Sequence, residues 1–192
     1  PQLSPYEHEL DKLFMNSPYK AELDQEFHKN YIRLTENNVQ LYRDENVSLL
    51  SQIEEEAQEF GSILGQMTIE IDGKELPVSK AQVYLRSTDR NKRAEVFEKV
   101  VDRRLQDADK LENLFSGLVE KRTQVAQNAA FDNYRDYKFR ELGRFDYTVE
   151  DVQDFHKAIR NEVVPVQEAA HRIRKEKLKV DHLKPYDLAV DV

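Results

Sequence analysis

The sequence predicts a predominantly all-α protein of long amphipathic helices with one small β-hairpin near residues 66–76. Three observations carry that prediction. Apolar residues recur every three or four positions over most of the chain, as in Leu23, Phe27, Tyr31 and Leu34. Only 5 glycines and 6 prolines occur in 192 residues, while 34% are charged, a profile of long helices and not of a turn-rich sheet protein. One stretch departs from helical spacing. Met67-Thr-Ile-Glu-Ile71 alternates, Asp72-Gly73 tolerates positive φ, and Lys74-Glu-Leu76 can return as a partner strand.

Each element follows from local chemistry. Ser4-Pro5 and Ser17-Pro18 place a capping hydroxyl before a proline suited to the first helical position, so each predicts a helix start. Asn37-Asn38 weakens the second helix, and a new stripe runs through Val39, Tyr42, Leu49, Ile53, Ala57 and Phe60 until Gly61 and Gly65 punctuate it. Ser79 with Gln82 fits a capping box opening a short helix that ends near Leu85. Ser87-Thr-Asp89 caps the longest stripe, Ala94 through Val125, which as one helix would be on the order of 50 Å long. Thr148 and Asp151 suggest another start, and the face Val152, Phe155, Ile159, Val163, Val166, Ala170 and Ile173 keeps its phase across Pro165, predicting a kink there and not a stop. The organisation expected is an amino-terminal helical part, residues 1–60, and a second part, residues 61–192, holding the hairpin and the long helices.

Composition narrows the function. With 37 acidic against 29 basic side chains the formal charge is -8, which repels a phosphate backbone and argues against nucleic acid. There is no cysteine, which excludes disulfides, thiolate zinc sites and cysteine nucleophiles and suits a reducing compartment. No run approaches the ~20 apolar residues of a membrane span, and residues 1–13 lack the features of a signal peptide, so a soluble, cytoplasmic protein is expected. The chain opens on Pro1 and stops on an apolar stretch, and both ends are expected to be cut from something longer.

No complete catalytic constellation is present. Two histidines one helical turn apart can hold zinc beside a Glu base, but His8 is followed four positions later by Lys12, and His28, His156, His171 and His182 are isolated. Carboxylate pairs such as Asp107 with Asp109 are uninformative among so many acids, and their simplest role is a solvated helix face. The five glycines form no phosphate-binding loop. Phe131 to Tyr147 is different in kind, interleaving Phe131, Tyr134, Tyr137, Phe139, Phe145 and Tyr147 with Arg135, Lys138, Arg140 and Arg144. Such a segment can line a peptide channel, with arginine forks and tyrosine hydroxyls as contacts. Packing of the rings between helices, with charges turned to water, is the commoner use of aromatic area.

At several separated places the letters resemble a known family. These are Gln66-Met-Thr-Ile-Glu-Ile-Asp-Gly-Lys-Glu-Leu76, Tyr84-Leu-Arg-Ser-Thr-Asp-Arg90 with Arg93, Ala126-Gln-Asn-Ala-Ala-Phe-Asp-Asn-Tyr-Arg-Asp-Tyr-Lys-Phe139, Phe145-Asp-Tyr-Thr-Val-Glu150 and Leu183-Lys-Pro-Tyr-Asp-Leu188. In this order they resemble the oligoendopeptidase F family of zinc metallopeptidases, relatives of thimet oligopeptidase. The resemblance is specific from about Phe60 onward and rests before it on helical character alone. It implies two helical halves around a deep channel for short peptides, and a zinc ion in an H-E-x-x-H helix with a third glutamate ligand.

No H-E-x-x-H occurs in this sequence, so no catalytic or metal residue of the family is carried onto it. The resemblance then implies the amino-terminal, channel-wall portion of a zinc oligopeptidase, inactive alone, binding no zinc itself. Its partners would be a short peptide substrate and the remaining carboxy-terminal half of the same protein, and the fragment could self-associate through apolar surface left bare. Arg135, Tyr137 and Arg140 are the substrate-channel candidates. The alternative is a non-catalytic helical module that binds a partner protein.

Overall fold

A computed structural model describes residues 3–191 and has the predicted class. In chain order the helices are α1 (Ser4–Asn16), α2 (Lys29–Leu41) and α3 (Asp44–Gly65), followed by strands β1 (Thr68–Ile71) and β2 (Lys74–Pro77). Then come α4 (Val78–Ala81), α5 (Arg90–Leu105), α6 (Ala108–Asn128), α7 (Tyr134–Glu141), α8 (Val149–Ala158) and α9 (Val164–Leu178). Among the described residues no helix is long and apolar enough to cross a membrane.

Contacts divide the chain into two compact units. One takes the described residues up to Glu59 together with Asn113–Thr148, and the other takes Phe60–Glu112 with the described residues from Val149 onward. Helices α3 and α6 each contribute to both. The first unit is organised around Leu41, Val125, Ala126, Ala129 and Tyr137, with Leu49, Leu50, Ile53, Phe131 and Tyr134 packed against them.

Several helix boundaries differ from the sequence expectation for identifiable reasons. Leu3 holds the cap position of α1, so Ser4 is the first helical residue and not its cap. Ser17 does cap, accepting from the Tyr19 N–H at 3.3 Å, but it opens only a 3-10 turn, Pro18–Glu22. Asp24 then accepts from the amides of Glu26 and Phe27 at 3.1 and 3.0 Å, a local turn that competes with helix, and α2 starts only at Lys29. Phe27 is left 82% exposed.

Helix α2 runs straight through Asn37-Asn38 and breaks at Tyr42-Arg43 instead. There the Arg43 guanidinium donates to the carbonyls of Gln40, Tyr42 and Asn128 at 2.9, 2.6 and 3.0 Å, satisfying the acceptors that a helix end leaves bare. Helix α3 continues past Gly61 and ends at Gly65, with Asp44 and Glu45 in its first turn, where the helix dipole favours negative charge.

In the second unit the hairpin forms as read. Ile71 pairs with Lys74 and Ile69 with Leu76, and Asp72 and Gly73 supply φ of 52° and 72°, the mirror-image turn matched to strand twist. One hairpin face buries Ile69 and Ile71, and Met67, Val78, Ala81, Leu85, Val96 and Val100 are buried on the neighbouring segments. Helix α4 begins at Val78 behind Pro77, without the expected capping box, and passes into a 3-10 turn, Gln82–Arg86.

The predicted single long helix is two. Asp89 caps α5, accepting from the amides of Asn91 and Lys92, but α5 stops at Leu105 and α6 opens at Ala108. The joint lies at Gln106-Asp107, where the Asp107 amide reaches Arg104 and the Asp107 side chain is ion-paired to Arg103. Neither glycine nor proline marks it. Past Pro165, by contrast, the helical backbone does continue. A π turn, Ile159–Val163, joins α8 to α9, and the Val164 amide bonds the Ile159 carbonyl five residues back, one residue farther than in an α-helix. That wider turn stands where a proline would otherwise collide with the carbonyl of the preceding turn.

Candidate functional site

Helix α7 carries all three residues singled out from the sequence, and its position follows from both of its ends. The turn after α6 places Ala130 at φ 64°, and the Phe131 amide returns to the Ala126 carbonyl at 2.9 Å, folding Phe131 back on the core. Asn133 then caps α7, accepting from the Asp136 amide at 3.0 Å while its own amide donates to the Asp136 carboxylate at 2.8 Å. Gly143, at φ 63°, ends the segment beyond α7 in the left-handed conformation.

The three candidates meet different surroundings. Tyr137 is only 4% exposed, edge-on to Phe131 at 5.7 Å and stacked on Tyr134 at 5.9 Å. Burial, with the Glu141 charge adding to it, pushes its phenol up to about 12, so it is neutral at any physiological pH. Arg140 donates from Nε to the Asn37 side-chain oxygen at 2.8 Å and from Nη2 to Gln40 at 3.0 Å, while the buried Asn37 amide donates to the Arg140 carbonyl at 2.9 Å. This reciprocal clasp ties α7 to α2. It also explains why α2 tolerates Asn37. Arg135 is exposed and donates to Asp136 at 2.8 Å.

The rest of the aromatic and basic segment is similarly engaged. Arg33 donates to the Phe145 carbonyl at 2.8 Å and to Asp146 at 3.0 Å, and its guanidinium lies 4.4 Å from the Phe145 ring centre. Arg144 lies 5.2 Å over Phe139. Most of the interleaving of rings and cations is thus the packing of α7 and its following turn onto α2.

Beside Tyr137 the first unit holds an open cavity of about 370 Å³. Glu7, His8 and Asp11 of α1 line it opposite Tyr42, Arg43 and Glu141, and His8 stacks on Tyr42 at 3.8 Å with planes 12° apart. The sequence carried no signal for this cavity, because its residues are scattered over α1, the α2–α3 joint and α7. Its donor set does not fit a zinc ion. Among the described residues no three His, Asp or Glu side chains are grouped so as to hold a metal.

In the second unit the most constrained polar group is Asp187, in a 3-10 turn, Pro185–Asp187, near the end of the chain. Its side chain is fully buried, as is that of Arg93, which donates to it at 2.8 Å, and Arg90 adds bonds at 3.1 and 3.0 Å. Burial alone would push the carboxyl up. Arg90, the Lys184 amide and Arg93 outweigh it and hold Asp187 at about 2. Arg93 also donates to the carbonyls of Tyr186 and Ser87 at 3.0 and 2.8 Å. The turn is thereby locked to the start of α5.

Residues 83–190, more than half of the chain, match the family model described as Peptidase family M3. The chain belongs to peptidase family M3. Solved structures extend the likeness of this M3 chain to 99% of its length. One, provisionally named oligoendopeptidase F, is 24% identical with a TM-score of 0.94, and a second of that provisional name, from Bacillus anthracis str. Ames, is 22% identical with a TM-score of 0.93. PZ peptidase A, solved with an inhibitor, is 25% identical with a TM-score of 0.94. The chain covers 34%, 35% and 34% of these three, so it spans about a third of the length of the structures it matches. No curated protein matches it.

Proposed function

We propose that this chain is the amino-terminal helical portion of a longer zinc-dependent oligopeptidase of family M3, forming part of the wall of a channel that admits short peptides. The observation that carries the reading is a fold that agrees over 99% of this chain with PZ peptidase A while spanning 34% of that protein. The M3 match across residues 83–190 supports it independently. The zinc and the residues that use it then belong to polypeptide that this sequence does not contain, consistent with the missing H-E-x-x-H. In the proposal the chain is inactive by itself, and the whole enzyme works in the cytoplasm on short peptides. Of the three channel candidates Tyr137 is in the core, Arg135 and Arg140 are exposed, and Arg140 is in addition clasped to α2, so Arg135 is the first to test as a substrate contact.

The test is an assay of the full-length protein and of residues 1–192 on an internally quenched short peptide. Cleavage by the full-length protein, abolished by a chelator and restored by zinc, is expected, with none from residues 1–192. Chelator-sensitive cleavage by residues 1–192, or none by the full-length protein, would sink the reading. Arg135→Ala in the full-length enzyme should raise KM for short peptides, and unchanged kinetics would remove Arg135 from the channel.

A further inference from the structure

The continuous helical stretch Val149–Leu178 poses a problem of stability. Every residue from 153 to 168 is exposed, and α8, the π turn and α9 contain no buried residue. Its intrinsic helix preference is poor where it stands most free: Ile159, Val163, Val164 and Val166 are β-branched, and Pro165 sits among them. Most of the stability of a helix in a protein comes from packing an apolar face and not from propensity. The face is present. Phe155, Ile159, Val163, Val166 and Ile173 are 63, 37, 49, 68 and 56% exposed, a broad apolar stripe widened by the offset of the π turn.

We infer that this stripe is an intramolecular docking face, covered in the intact protein by the polypeptide through which its M3 relatives exceed it in length. The inference rests on reading the chain as part of a longer peptidase. The solved relatives contain essentially all of this fold in about a third of their length, and the other two-thirds is further polypeptide, so the occupant is available in the same molecule. A tethered segment meets the stripe at millimolar effective concentration, which a second copy of the chain does not reach. The chemistry required of it is a complementary aliphatic and aromatic surface. Lys157 and Asp154, paired with each other at 2.7 Å, would stay in water on the polar side.

Cysteine labelling can test this, since the 192 residues contain no cysteine of their own. Phe155→Cys and Val166→Cys sample the stripe, and Gln153→Cys and Lys157→Cys sample the polar side, with labelled sites assigned by peptide mapping. In the full-length protein the stripe positions should react with a maleimide at least ~10-fold more slowly than the polar ones, whereas in residues 1–192 the two sets should react alike. Amide hydrogen exchange over 149–178 in the unsubstituted full-length protein, slowed relative to residues 1–192, supports the same conclusion without any substitution. Equal labelling in the full-length protein overturns the inference. So does stripe protection in residues 1–192 that grows with concentration, which assigns the face to a second copy. The peptidase assay on the same preparation separates the two proposals: cleavage with equal labelling removes only the docking face, and protection without cleavage removes only the peptidase.

Discussion

Two clasps hold distant parts of this chain together, and they use opposite chemistry. In the first unit the neutral Asn37 amide bonds both the carbonyl and the guanidinium of Arg140, whose charge keeps partial access to water. In the second, Asp187 and Arg93 are both withdrawn from solvent, and their charges are compensated only by each other, Arg90 and nearby backbone. A buried charge pair contributes little net stability when whole, because desolvation offsets the attraction, yet breaking it strands a charge. The Asn37 clasp strands only ordinary hydrogen-bonding groups. The two sites should therefore differ far more in their fragility than in their worth.

The largest effect that would expose this difference is Asp187→Ala. It leaves Arg93 buried without a counterion and should lower unfolding stability by about 3–5 kcal/mol in urea titration. A loss below ~1 kcal/mol would mean that Arg93 finds water or another partner and that the lock is not what holds the chain end. Asn37→Ala should cost less, about 1–2 kcal/mol, by unpairing the Arg140 carbonyl and guanidinium. If it matched Asp187→Ala, the contrast would fail.

Acid sharpens the comparison further. Because the folded-state carboxyl of Asp187 is depressed to about 2, its contribution is fully present above the unfolded aspartate value of about 3.9 and is lost as the pH falls from there toward 2. The stability gap between the unsubstituted protein and Asp187→Asn should narrow over that window, and a gap that stays constant would contradict the assignment. Asn37→Ala should show no such acid dependence. At the small end, Lys99→Met removes a solvent-exposed pair with Glu95, made at 2.7 Å, and an exposed bond to the Glu70 carbonyl at 3.0 Å, and should leave the melting temperature unchanged within error.

How much of this was legible beforehand depended on how local the cause was. The hairpin was, because Asp72-Gly73 and the alternation beside it are sufficient in themselves, and so was the cap at Asp89. Residues 83–190 carry family sequence, whereas the preceding helices reveal their kinship only in shape, which is why the letters before Phe60 pointed to nothing beyond helix. Misreadings arose where a distant partner overrode a local preference. Asn37-Asn38 reads as a weak point until Arg140 arrives from a hundred residues away, and the true break at Tyr42-Arg43 is held by Arg43 reaching the Asn128 carbonyl. The joint at Gln106-Asp107 contains no breaker residue, so the apolar stripe ran across it unmarked. For the site, spacing could nominate α7 but could not separate a core tyrosine from two exposed arginines, one of them clasped to α2.

The π turn ahead of Pro165 has a consequence for how this helix can vary. A π turn holds an extra residue relative to α-helical winding, so removing one residue between Ile159 and Val163 would rewind the segment as ordinary helix. Everything after it would then keep nearly the same direction, because the deletion takes out the residue that the wider turn absorbs. A residue lost from the α-helical winding of α8 or α9 would instead swing the face beyond it by about 100°. The π turn is thus where this helix can lose a residue while its two halves go on addressing the same surfaces.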